Sequence, residues 1–158
     1  MTHDISQRKA DHLDLCATDQ VAFRRQTTLL SEVRLVHQSL PELSLDDLDL
    51  RTELLGKTLR APLVIAAMTG GHERAEEINR TLAGVAERRG YAFGLGSQRA
   101  MLKRPESAST YRVRDVAPSA LVLGNIGVVQ AREMATADVA RMVHAIGADA
   151  LCVHLNPA

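Results

Sequence analysis

Four short apolar runs each end in residues suited to holding an anionic, flat ligand. Leu63–Met68 leads into Met68-Thr69-Gly70-Gly71, and Tyr91–Leu95 into Gly96-Ser97-Gln98-Arg99. Ala120–Leu123 leads into Gly124-Asn125-Ile126-Gly127, and Ala150–His154 closes on His154-Leu155-Asn156-Pro157. Glycines let a backbone approach a ring closely. Hydroxyl, carboxamide and guanidinium groups donate hydrogen bonds to negative oxygens. Each piece alone has a plain structural reading. Gly70-Gly71 suits an ordinary strand-to-helix turn, Ser97 a helix cap and Arg99 a solvated surface charge. Asn125 suits turn chemistry, and His154 a satisfied buried histidine. Their coincidence at strand ends favours one shared site, because parallel α/β folds bind ligands at the C-terminal ends of their strands.

The elements that must position these residues recur with a period. The four runs start at Leu63, Tyr91, Ala120 and Ala150, at intervals of about 28–30 residues, the length of one strand–helix unit with its loops. Both alternations of each run are apolar, as in strands of a parallel sheet covered on both faces. Between the first two runs, Ala75, Ile78, Leu82, Val85 and Ala86 form one helical face over 72–89, and Gly90 stops it. A second helix is expected to open at Pro105 and end before Pro118. A third is expected with Thr136 as N-cap, Val139, Met142, Val143 and Ile146 as its stripe, and Gly147 as its stop. Residues 62–157 thus read β-α-β-α-β-α-β, which suits a (β/α)₈ TIM barrel or an open doubly wound sheet. A complete barrel needs about 250 residues, so a barrel reading makes 62–158 its truncated first half.

Residues 1–61 differ in kind and read as an N-terminal extension. They hold a charged helical opening, an extended stretch at 33–38 and a leucine–acid segment. A hairpin follows, turning at Gly56-Lys57. From its position, that hairpin is expected to plug the N-terminal mouth of a barrel.

Composition removes other classes. Nineteen basic residues balance nineteen acidic ones with no long block of like charge, which argues against nucleic-acid and membrane-surface partners. The polar opening lacks a signal peptide's apolar stretch, and no run approaches the roughly 18–20 residues of a membrane span. A cytoplasmic protein is expected. The two cysteines form no CxxC pair, and Cys152, set in an apolar run, reads as a buried inert thiol. No His, Cys, Asp or Glu pair has metal-ligand spacing, so no metal site is assigned within the chain.

Taken together, these residues resemble one family, the type 2 isopentenyl-diphosphate isomerases. The likeness starts at Arg8-Lys9-Ala10-Asp11-His12, which matches an RKxxH opening. It continues through 33–43 (VRLVHQSLPEL), Leu55-Gly56-Lys57 and Ala61-Pro62-Leu63. Its strongest blocks are MTGG at 68–71, INRTLA at 78–83, GLGSQR at 94–99, GNIG at 124–127 and HLNP at 154–157. The resemblance implies an FMN-binding (β/α)₈ barrel that interconverts isopentenyl and dimethylallyl diphosphate. It implies reduced FMN serving in proton transfer, Mg²⁺, NADPH as reductant and a homo-oligomer. By the same likeness Ala67, Met68, Thr69, Ser97 and Asn125 line the flavin. Arg8, Lys9, His12, Ser97, Gln98 and Arg99 hold the diphosphate, and His154 and Asn156 border the substrate. In the family HLNP leads into a Gln and a Mg²⁺-binding acid, whereas here Ala158 is the last residue. This chain alone is therefore not expected to catalyse. Two other readings stand beside it. An FMN-dependent 2-hydroxy-acid oxidase-like oxidoreductase shares the LGK turn and the following Ala-Pro, although MTGG and GLGSQR count against it. The other is an inactive half-barrel fragment.

Overall fold

The computed structural model describes residues 5–155. A four-stranded parallel sheet forms the centre, built from β3 (Val64–Ile65), β4 (Ala92–Gly94), β5 (Val122–Gly127) and β6 (Ala150–His154). The strands lie side by side in chain order, each paired in parallel with the next. All four expected strands are present and parallel, which puts their C-terminal ends on one edge of the molecule.

Their bounds differ from expectation in ways the backbone explains. Only Val64 and Ile65 of the first run enter the ladder, opposite Ala92 and Phe93. The chain nevertheless stays against β4, since the Thr69 carbonyl accepts the Gly96 N–H at 3.1 Å. The third run starts later and ends later than expected. Gly124-Asn125-Ile126-Gly127 continues as strand because each residue faces a partner in β6, up to Gly127 opposite His154.

The first helix between strands, α2 (Glu73–Arg89), has the expected span, with His72 as N-cap and Gly90 ending it at φ +67°. Of its expected face only Ala75 and Ala86 are buried, and Ile78, Leu82 and Val85 are half-buried. Its small buried residues Ala75, Ala83, Gly84 and Ala86 let it sit close on the sheet. The second expected helix is corrected. A short helix, α3 (Arg99–Lys103), is followed by a 3₁₀ segment, Pro105–Tyr111, and nothing helical runs on toward Pro118. The hydroxyls of PESASTY explain it: Ser107 Oγ donates to the Arg104 carbonyl and Thr110 Oγ1 to the Ser107 carbonyl, competing with the regular ladder. A helix not expected from the sequence, α4 (Val128–Glu133), follows β5 directly. In α5 (Thr136–Ala145) the N-cap is Ala135, not Thr136, and no side chain caps the helix start.

The core lies between the sheet and these helices. Phe93, Leu95, Tyr111, Val113, Val122 and Ile146 are its large buried members. Cover is complete over β4 and partial over β5, where Leu123 and Asn125 are half-buried. Every residue of β4 is buried, while β6 has none buried, Cys152 and Val153 being exposed and the others half-buried. Cys152 is therefore exposed rather than buried, because it sits on the outer strand.

Before the sheet come α1 (Ile5–Cys16) and an exposed stretch, 17–51, in which 33–38, expected to be extended, joins no strand. The hairpin β1 (Thr52–Leu54) and β2 (Lys57–Leu59) follows. Its turn is Leu55-Gly56, one position earlier than expected. Both residues have positive φ, 51° and 77°, the twist that a two-residue hairpin loop needs. The left-handed conformation costs Leu55 about 1–2 kcal/mol, which Gly56 is spared. Leu59 packs with Ala92, Leu121 and Leu123, at the start of β4 and β5. Lys57 Nζ donates to the Ser119 and Ala120 carbonyls at 3.1 Å and pairs with Asp149 at 3.0 Å. The hairpin thus seals the N-terminal end of the sheet, opposite the end where the candidate residues gather.

Candidate functional site

A cleft of about 420 Å³ opens at the C-terminal end of β3 and β4, lined by Asp11, His12 and Leu15 of α1 and by Met68, Thr69, Gly70 and Ser97. Four of the expected residues, His12, Met68, Thr69 and Ser97, are therefore brought together. Met68 is half exposed and offers a soft apolar surface, whereas Thr69 is 6% exposed with its backbone held from behind. An ion pair between Arg74 and Asp14 at 2.7 Å ties α1 to α2.

The other expected residues fall into distinct places. Ala67 is exposed on the same segment as Met68. Arg99 is exposed at the start of α3, where its N–H reaches Ser97 Oγ at 3.4 Å. Arg8 and Lys9 belong to α1, but their side chains lie outside the described set, as does Asn156 altogether. Asn125 and His154 stand at the same end of the sheet, on β5 and β6, without lining the cleft. The His154 ring packs on Gly127 so closely that a Cβ there would come within 3.2 Å of it.

Gln98 is fully buried. Its backbone N–H donates to the Asn125 carbonyl at 2.8 Å, and its Oε1 accepts the Asn125 N–H at 3.0 Å. Its Nε2 turns inward to the Met142 carbonyl at 3.5 Å. The side chain thus stands in for a strand backbone and extends the pairing of β4 with β5 beyond the ladder. Gly124 leaves room for it, since a Cβ there would lie 2.6 Å from Gln98 Oε1. Any influence of the Gln98 side chain on a ligand runs through the placement of Asn125 and Ser97.

Three further residues underlie the rim and escaped the sequence reading. Asn79 Nδ2 donates to the carbonyls of Thr69 and Thr110, at 3.2 and 2.9 Å. Thr110 Oγ1 accepts the Gly71 N–H at 2.8 Å. The Tyr111 hydroxyl donates to the Ser97 carbonyl at 2.8 Å, and burial pushes its phenol pKa well up, so it stays a donor. Asn79 lies within the INRTLA block, the one signal that could have pointed to it.

Comparison with known proteins bears on what this rim serves. Over 96% of its length the chain is 45% identical to a Methanococcoides burtonii protein named isopentenyl-diphosphate delta-isomerase, of which it covers 42%. Proteins of the same name from Synechococcus sp. and Aeropyrum pernix are 49% and 46% identical over 97% and 99% of the chain, which covers 44% and 42% of them. The chain therefore spans less than half the length of these curated relatives. The family model of the FMN-dependent dehydrogenases matches residues 1–156, and the chain belongs to that family.

Proposed function

We propose that this chain is the N-terminal half of an isopentenyl-diphosphate isomerase that works with reduced FMN. The observation that carries the reading is the cleft where Met68, Thr69 and Ser97 meet at the C-terminal end of the parallel sheet. Relatives bearing that enzyme's name support it, as they align along nearly the whole chain. Parallel strands in chain order suit the first half of a (β/α)₈ barrel over 62–158, with 1–61 as an extension whose hairpin closes the far end.

The residues present fit a flavin. Its ring has an apolar body and a polar edge, and the cleft sets the apolar Met68 and Leu15 beside the polar residues His12, Thr69 and Ser97. Ala67, Met68, Thr69, Ser97 and Asn125 would hold it. Reduced FMN, when bound, supplies the acid–base chemistry for moving the double bond. The chain's own residues bind and orient. Arg99, with Arg8 and Lys9, neutralises the diphosphate; a guanidinium grips two oxygens at once, whereas an ammonium acts as a point charge. His12 and Ser97 complete that grip, Gln98 fixes Asn125, and His154 with Asn156 borders the allylic tail. A dry wall is needed there, because a proton must be added at one carbon and removed at another without loss to water.

Mg²⁺, NADPH as reductant, a cytoplasmic location and a homo-oligomeric assembly belong to this proposal on family likeness. Among the described residues no group of three or more His, Cys, Asp or Glu could hold a metal ion, so no step is assigned to Mg²⁺ here. No described helix is long and apolar enough to cross a membrane. The family description, an FMN-dependent dehydrogenase, is also compatible with a second reading, an oxidoreductase, for which a 2-hydroxy acid is the substrate class proposed from the shared LGK turn and Ala-Pro. The full-length protein, given FMN, NADPH, Mg²⁺ and isopentenyl diphosphate, is expected to form dimethylallyl diphosphate. Reduction of its flavin by a 2-hydroxy acid, without isomerisation, would establish the second reading instead.

A further inference from the structure

Beneath the rim lies a polar layer that the functional reading leaves without a role. Tyr111 ends the 3₁₀ segment and is fully buried. Its ring presses on Gly70 so closely that a Cβ there would fall 1.9 Å from Cε1. Its hydroxyl meets Ser97 O, and the adjacent Thr110 takes the Gly71 N–H. Residues 110 and 111 therefore touch both rim loops from below, Gly70-Gly71 on one side and Ser97 on the other. Asn79 joins the same layer by bridging the carbonyls of Thr69 and Thr110.

A phenylalanine would fill the same core volume, and a buried hydroxyl loses its water on folding. What the hydroxyl adds is a directed bond to the backbone of a rim residue. We propose that Tyr111 is a positioning residue, whose ring and hydroxyl together set the spacing between Gly70 and Ser97. That claim rests on the reading of the rim as the flavin and diphosphate site. Tyr111 is fully buried beneath the rim, and it acts through the loops it holds.

The test uses the full-length protein and compares Tyr111→Phe with Val113→Ala, a cavity-forming change in the same core. Three quantities are read: the FMN Kd from flavin fluorescence, kcat and KM for isopentenyl diphosphate, and amide exchange of residues 94–99 in the apoprotein. Tyr111→Phe is expected to raise the FMN Kd and the substrate KM by up to about tenfold, the worth of one lost hydrogen bond. Exchange at 94–99 should quicken while α2 is unchanged. Val113→Ala should lower Tm at least as far yet leave Kd, KM and rim exchange near wild type. Thr110→Val, which strips the Gly71 N–H of its partner, provides a second probe and should act in the same direction. Wild-type affinities and rim exchange in Tyr111→Phe would overturn the proposal, as would the same losses in Val113→Ala. A wild-type protein that neither binds FMN nor isomerises would refute the functional reading instead, and the exchange comparison would still judge the clamp.

Discussion

Arg99 and Ser97 are two residues apart and do opposite things with their polar groups. Ser97 lines the cleft, its carbonyl accepting the Tyr111 hydroxyl and its Oγ the Arg99 N–H, while the Arg99 side chain lies exposed at the start of α3. A guanidinium so placed is free to meet an arriving diphosphate. In the full-length protein, Arg99→Ala is expected to weaken substrate binding by roughly 1.5–3 kcal/mol, the worth of a charge-assisted contact, with FMN affinity little changed. Substrate and flavin titrations on the same preparation decide it, and lost flavin with unchanged substrate would reassign Arg99 to the cofactor. Residues of this kind were legible in the sequence because they stand where apolar runs stop. Tyr111 and Asn79 were not, because they act on backbone carbonyls of loops remote from them in the chain. No spacing rule announces such a contact. Gln98 was legible as part of the rim but not in its orientation, which depends on a neighbouring strand.

At the scale of elements, the N-terminal end of the sheet is held by charge. Asp149 pairs with Arg114 at 2.6 Å and Lys57 at 3.0 Å, and accepts the Val122 N–H at 2.8 Å. Burial works to raise its pKa, but the Val122 N–H, Arg114 and Lys57 together hold it below the ordinary carboxylate value. Glu87 of α2 behaves alike: burial opposes, and bonds from Ser119 and the Ala120 N–H prevail. A folded-state pKa below the unfolded one adds stability at pH values above the unfolded pKa, and that stability is lost as pH falls through the folded value. Urea unfolding should therefore show stability falling from about pH 5 downward, where free carboxylates begin to protonate. Asp149→Asn should cost about 1–2 kcal/mol at neutral pH, allowing for partial exposure, and should flatten that acid dependence. An unaltered acid slope in the variant would shift the effect to other carboxylates. The elements themselves were readable where pattern and packing agree. The run Ala150–His154 became β6 with the expected bounds. The Pro105 segment failed because its serines and threonines bond locally to their own backbone, a competition that apolar periodicity does not register.

For the molecule as a whole, β3 and β6 form the two outer strands of the sheet, and their Val64 and Val153 are each nearly half exposed. Unpaired strand edges recruit other chains. The 158-residue polypeptide, expressed by itself, is expected to self-associate, to retain FMN weakly or not at all, and to show no isomerase activity. Gel filtration with a flavin absorbance scan and a turnover assay measure this. A monodisperse yellow protein that isomerises isopentenyl diphosphate would mean that two copies complete one site. The period of the apolar runs made the parallel order legible, since each unit is long enough to cross over and no longer. Uneven cover across the sheet was not legible, because a run that is apolar on both faces reads alike at an edge and at the centre.

The hairpin's seal also sets an order of events during folding. Lys57 closes onto the Ala120 carbonyl, 63 positions further along the chain, and then onto Asp149 beyond it. On a growing chain β1 and β2 leave the ribosome long before those partners exist. A lone two-stranded ribbon is marginal in water, and contacts of such long sequence separation form late. Leu59 can settle on Ala92 as soon as β4 is made, but the Lys57 contacts must wait until β5 and the approach to β6 are in place. The ammonium's lock is therefore the late part of the closure, completed only after the strands that carry the rim have come together at the opposite end.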